Sequence, residues 1–254
     1  MIRNILASIF ITMTSAFVMG QSKYKPIRQL AYTGYYNWGF IWINVGNTVL
    51  HIGSSDVYPH ANKIAAYAAT DPSWEWFFVL RDTLISHHDK HSFAPVEFYR
   101  SANEGDYAAR FRSRFSYDER RIYACKERIG KYARYDTLEL ADRTYDMLSI
   151  AWKARELDFD SFEKGHSIPM NIFIDEKIYN LDLTYLGEKT TKVGGKKYKC
   201  YVFSPQVLKG EVFKDDNAFK IWVTKDDYRI PVLMEAKIRV GSLKAIIDLK
   251  NTIY

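Results

Sequence analysis

The chain has 254 residues, 16% of them aromatic, and a formal net charge of +6. That length supports one large β domain or two small ones, with a core that needs no cross-links. The basic residues are interleaved with acids and aromatics. This disfavours a nucleic-acid partner and leaves a mild attraction to acidic polysaccharide or anionic lipid headgroups.

In chain order, the first segment is Met1 to Gly20. Arg3 supplies one charge, Ile5 to Val18 is apolar or small apart from Ser and Thr, and Val18-Met19-Gly20 fits what a signal peptidase reads. This is the pattern of a secretory signal peptide. We expect residues 1–20 to be removed and residues 21–254 to form a single exported domain in the periplasm or outer envelope. No Cys follows the cleavage site, so no lipid attachment is indicated there. No later hydrophobic run is long enough to span a membrane.

Alternation then dominates. Leu30, Tyr32, Gly34, Tyr36 and Trp38 share a face of the first predicted strand, followed by strands at 40–52 and 64–70. Asp71-Pro72-Ser73 predicts a short helix, with a cap residue and then Pro at its first position. From it Trp74, Phe77 and Phe78 are expected to face the core. Strands follow at 80–88, 95–100, 107–117, 121–126 and 132–138, with turns around Gly105, Asp118 and Gly130. Within the third of these, Arg110, Arg112 and Arg114 point one way and Phe111 and Phe115 the other.

One helix interrupts the pattern. Asp142 or Thr144 can cap it, and Tyr145, Leu148, Ala151, Trp152 and Leu157 recur at helical spacing. It is expected to cover an edge or open end of the sheet. Strands resume at 170–174, 178–191, 196–204, 218–224, 230–240 and 243–249. Val193-Gly194-Gly195-Lys196 is a hairpin signal, and Pro231 belongs at a strand start or edge. No linker or internal repeat divides the chain. The predicted fold is therefore mainly β: a single strongly curved antiparallel sheet, a half or full barrel, with one covering helix and one short helix.

The segment Ile221-Trp222-Val223-Thr224-Lys225-Asp226-Asp227-Tyr228-Arg229-Ile230-Pro231-Val232, with Gly241-Ser242 after it, is the most specific part of a wider pattern. Arg81-Asp82, Glu104-Gly105, the helix from Asp146 to Arg155, and Tyr185-Leu186-Gly187-Glu188 complete it. The pattern resembles an uncharacterised exported bacterial family, domain of unknown function 3108. The resemblance implies a periplasmic or outer-envelope β protein and brings no activity or catalytic residues with it.

Several constellations could carry chemistry. His87, Asp89 and His91 would share one face of an extended strand and could hold zinc with an open position, as in a metal-dependent hydrolase. Asp89-Lys90 is also turn-forming, and a turn would scatter them. Trp74, Trp76 and Trp152 could line a groove for an apolar ligand, although large aromatics are mostly core. Trp74 and Trp76 cannot both face inward, so one is a candidate for exposure at a ligand entrance. Arg155 can complement the helix dipole or hold an anion. Cys125 and Cys200 could form a disulfide in an exported protein or remain two buried thiols. Asp82 is expected to fix a backbone turn, and Asp226-Asp227 to form a β-turn. The sequence holds no glycine-rich phosphate loop, Gly-x-Ser-x-Gly, His-Glu-x-x-His or Cys-x-x-Cys. No cofactor is expected. The leading expectation is a binding or carrier module for a lipid-like ligand, ahead of a non-enzymatic envelope assembly or interaction protein.

Overall fold

The computed structural model describes residues 24–206, 218–238 and 240–254. The expected leader at residues 1–20 lies outside them. Eight strands come first: β1 (Gln29–Trp38), β2 (Ile41–Ser54), β3 (Ala61–Thr70), β4 (Arg81–Asp89), β5 (Pro95–Glu104), β6 (Tyr107–Ser116), β7 (Arg121–Arg128) and β8 (Tyr132–Glu139). A three-residue strand, β9 (Thr144–Asp146), leads into helix α1 (Ser149–Arg155). Six more strands complete the fold: β10 (Ser167–Ile174), β11 (Lys177–Val193), β12 (Lys196–Pro205), β13 (Phe219–Thr224), β14 (Pro231–Lys237) and β15 (Ser242–Ile247).

The fifteen strands among the described residues form one sheet, ordered β8 through β1, then β15 down to β9. The chain starts at the centre, steps outward to β8, jumps to the opposite edge, and steps back until β15 pairs with β1. Among the described strands, only β9 and β10 run parallel. The sheet is mainly antiparallel and strongly curled, as predicted, but β8 and β9 are not hydrogen-bonded neighbours, so the ladder stays open.

Side chains tie the two ends together instead. Ser86 on β4 donates to Asp146 on β9 at 2.7 Å. In the β10–β11 turn, Asp175 pairs with Arg100 of β5 at 3.0 Å and Glu176 with Arg134 of β8 at 3.2 Å. Such ties bend a sheet too wide to stay flat.

Local chemistry explains the main features. In β6, Ala109, Phe111, Ser113 and Phe115 are buried while Arg110, Arg112 and Arg114 are exposed, a period of two. Gly194 and Gly195 take φ of +55° and +83°, as a two-residue hairpin loop requires. Gly46 is required for closeness, since a Cβ there would sit 2.3 Å from the Ala69 carbonyl oxygen on β3. Pro231 opens β14, where its missing donor is harmless.

Two expectations are corrected, the start of the covering helix and the placement of Phe77 and Phe78. The helix predicted from Asp142 or Thr144 begins later, because residues 144–146 pair with β10. Asp146 takes the capping role: its Oδ1 accepts from the backbone N–H of Leu148 at 2.8 Å and Ser149 at 2.9 Å, and Ser149 Oγ accepts from its own N–H. The predicted short helix is present as a single 3-10 turn, Pro72–Trp74, with Asp71 as its cap and Pro72 first, as expected. Phe77 and Phe78 beyond it are exposed rather than core. Of the two alternatives left open for the cysteines, the free thiols are found: Cys125 on β7 is partly exposed and Cys200 on β12 is buried.

Candidate functional site

Alternating strand direction puts the turns at 39–40, 71–80, 105–106, 129–131, 175–176 and 238–241 at one end of the curled sheet, here called the upper end. The lower end is closed by the segment before β1, by α1 and by the turn before β14.

Between these lies a cavity of about 440 Å³, walled by β1, β2, α1 and strands β10 to β15. Its wall is almost wholly apolar. Leu30 and Tyr32 contribute from β1, Trp152 from α1, Met170 and Ile172 from β10, Phe203 from β12, and Ile221 and Met234 from β13 and β14. The lower lining residues Ile27, Leu30, Tyr32, Phe159 and Ile230 are buried, whereas Ile172, Leu181, Pro205, Phe219 and Met234, higher in the wall, are partly exposed. Among the described residues, exposure of the wall therefore rises from the lower end toward the upper end.

Two buried arginines close the lower end. Arg155 donates from Nε to the Tyr228 carbonyl at 2.8 Å and from Nη2 to the Lys25 carbonyl at 2.6 Å. Burial holds its pKa below the usual guanidinium value. Arg229 donates to the Leu157 carbonyl at 2.6 Å and pairs with Asp160 at 3.5 Å. Its guanidinium lies 4.3 Å from the Tyr24 ring centroid and 4.4 Å from that of Phe159. Both cations line the cavity while being fixed by carbonyls and rings, so they form a rigid positive floor.

The predicted ligand residues divide. Trp152 and Arg155 line this cavity. Trp74 and Trp76 do not; they sit at the upper end with ring centroids 6.4 Å apart, Trp74 half-buried and Trp76 78% exposed. Phe77 is equally exposed, and Phe40 at the neighbouring β1–β2 turn is 94% exposed. The upper end of the sheet thus carries an exposed aromatic patch that is not part of the cavity wall.

The three candidate metal ligands are not brought together. His87 is buried and bonds through Nδ1 to Ser55 Oγ at 2.9 Å. Asp89 turns back to accept from the N–H of His91 and Ser92 and from Ser92 Oγ. His91 lies past the end of β4, exposed. Among the described residues, no group of three His, Cys, Asp or Glu side chains is placed to hold a metal ion. The turn-forming tendency of Asp89-Lys90 prevailed.

The other readings of acids resolve similarly. Asp82 is buried, accepting from the Asn103 N–H and from Arg100. Asp226 Oδ1 accepts from Thr224 Oγ1, Tyr228 N–H and Arg229 N–H, which makes the β-turn. Arg229 escaped the sequence reading. Its only signal was a cation next to strand-like Ile230-Pro231, and nothing local says it points inward.

A curled, open β-barrel-like sheet around an apolar cavity is the class these observations define. The family model described as a protein of unknown function (DUF3108) matches residues 31–248, and the chain belongs to that family. Among solved structures it is similar to a beta-barrel-like protein of domain of unknown function DUF1849 from Brucella abortus. The TM-score is 0.57 at 9% identity, covering 90% of this chain and all of that one. That likeness concerns the fold alone. No curated protein matches.

Proposed function

We propose that this is an exported binding or carrier protein for an acyl-chain-like ligand, working in the periplasm or outer envelope and holding the chain in the cavity under α1. One observation carries the reading: a preformed cavity of about 440 Å³ whose wall is nearly all hydrocarbon. That volume falls within the roughly 300–1,000 Å³ usual for small-molecule sites. Each methylene moved from water into such a wall contributes about 0.8 kcal/mol. The guanidiniums of Arg155 and Arg229 in the floor favour an anionic group on the ligand. The exposed aromatic patch at the upper end supplies residue types that sit well at a lipid–water boundary. The signal-like pattern of residues 1–20 supports export.

The test uses protein purified from its own envelope. Native mass spectrometry should show a bound mass that delipidation removes, and delipidated protein should take up a fluorescent fatty acid. A delipidated protein that binds no fatty acid, together with no co-purifying mass, ends the reading. A second reading, an envelope interaction protein without cargo, is favoured by the exposure of Phe40, Trp76 and Phe77. In that case Trp76→Ala with Phe77→Ala would abolish partner capture while the cavity stays empty.

A further inference from the structure

The two ends of the open sheet are unlike. At one, β9 is three residues long with Thr144 and Asp146 buried. At the other, β8 is eight residues long, and all but Leu138 are exposed. Among the described strands β8 pairs only with β7. A long, uncovered edge presents a row of unpaired backbone groups, and proteins normally blunt such edges.

The register shows which groups are free. Leu140 N–H donates to the Arg120 carbonyl at 2.9 Å. Hydrogen-bonded pairs alternate along an antiparallel ladder. In the β7–β8 register, Ile122–Leu138, Ala124–Asp136, Lys126–Arg134 and Arg128–Tyr132 are therefore the bonded pairs. The backbone groups of Ala133, Tyr135, Thr137 and Glu139 point outward. Of these, the Thr137 N–H meets only the neighbouring Asp136 carboxylate, at 3.0 Å on the exposed surface.

We propose that two copies of this chain pair antiparallel along β8, about a two-fold axis at Tyr135. In that register Tyr135 faces its own copy and Ala133 faces Thr137 through outward-pointing backbone groups, while Lys131, whose N–H donates to the Arg128 carbonyl at 2.9 Å, lies opposite Glu139. Between them Arg134 faces Asp136 and Tyr132 faces Leu138. Each charge in the strand and its flank therefore meets the opposite charge of the second copy, which for Arg134 adds to its pairs with Glu176 at 3.2 Å and Asp136 at 3.6 Å in its own chain. Arg134 and Asp136 fall at a non-hydrogen-bonded pair, where cross-strand side chains are closest. A two-fold centred on Arg134 or Asp136 would set that side chain against the same charge of the second copy at a close, non-hydrogen-bonded pair, which is destabilising. One centred on Ala133 or Thr137 leaves Arg134 and Asp136 opposite uncharged residues. The charges that would repel a foreign strand thus suit a second copy in one register. The interface is one strand edge, so the association is weak and reversible.

The test is sedimentation velocity of the chain without residues 1–20 across a concentration series, expected to show a reversible monomer–dimer equilibrium. Tyr135→Pro removes an outward N–H and leaves the β7 ladder intact. It should abolish the dimer without changing the circular dichroism spectrum. Arg134→Asp and Asp136→Arg should each be monomeric, and mixing the two should restore a dimer. In a Cys125→Ser background, Tyr135→Cys should oxidise to a covalent dimer. A hydrogen-bonded pair has Cα atoms about 5.5 Å apart, inside the roughly 4.4–6.8 Å that a disulfide spans. A wild-type chain that stays monomeric throughout overturns the proposal. So does a dimer that survives Tyr135→Pro, or a failure of both the mixture and the cysteine variant to dimerise.

Discussion

Replacing His88 by phenylalanine should remove much of the acid sensitivity of this fold between pH 7 and pH 5. His88 lies on β4, 1% exposed, with its ring stacked on Phe93 at 5.8 Å and no partner for Nδ1. Burial pushes its pKa down from 6.5 to about 4. The folded value is below the unfolded one, so the unfolded chain takes up the proton first as pH falls. The stability contribution is whole above pH 6.5 and is lost as pH drops toward 4. Each pKa unit between the two states is worth about 1.4 kcal/mol, which gives a loss of about 2 kcal/mol by pH 5 and about 3 kcal/mol by pH 4. For a domain of this size, 2 kcal/mol lowers the thermal midpoint by roughly 4–8 °C. His87 is depressed in the same direction, chiefly by burial, and adds to the effect. The assay is thermal unfolding by circular dichroism at pH 7, 6 and 5 for wild type and His88→Phe. The readout is the drop between pH values, because the larger ring can shift the midpoint at any single pH. An equal drop in both proteins would refute the reasoning.

Three further outcomes follow from particular contacts. Asp146→Ala should destabilise the protein by about 3 kcal/mol or more in urea unfolding, because it strands Ser86 Oγ and the two N–H groups that start α1; a loss below 1 kcal/mol would contradict the capping role. Ala245→Phe projects a ring into the cavity and should abolish fatty-acid uptake while leaving the thermal midpoint unchanged or raised; undiminished uptake would place the ligand elsewhere. Cys200 is fully buried and its thiol is pushed up to about 11, so it should react with a thiol reagent only after unfolding, while partly exposed Cys125 reacts slowly in the native state. Mobility on a non-reducing gel should not change on adding reductant.

The sequence by itself determined the strands, the hairpins and the mainly β class, because those depend on neighbours. Period-two burial in β6 is set by which side chains tolerate water, and the Gly194-Gly195 turn by which residues accept positive φ. It also marked Trp152 and Arg155, which line the cavity, and the Asp89-Lys90 turn that separates His87 from His91. Only the tertiary structure decided the rest. Residues 144–146 became a strand because β10 was beside them, which no local propensity records. Pairing of β1 with β15 joins segments some two hundred residues apart, and the jump from β8 to the far edge fixes which strands face the hollow. Alternation reports that a side chain leaves one face of the sheet; whether that face meets a filled core or an empty space depends on how far the sheet bends. That bend is set by contacts such as Asp175–Arg100 and Ser86–Asp146, between groups far apart in the chain.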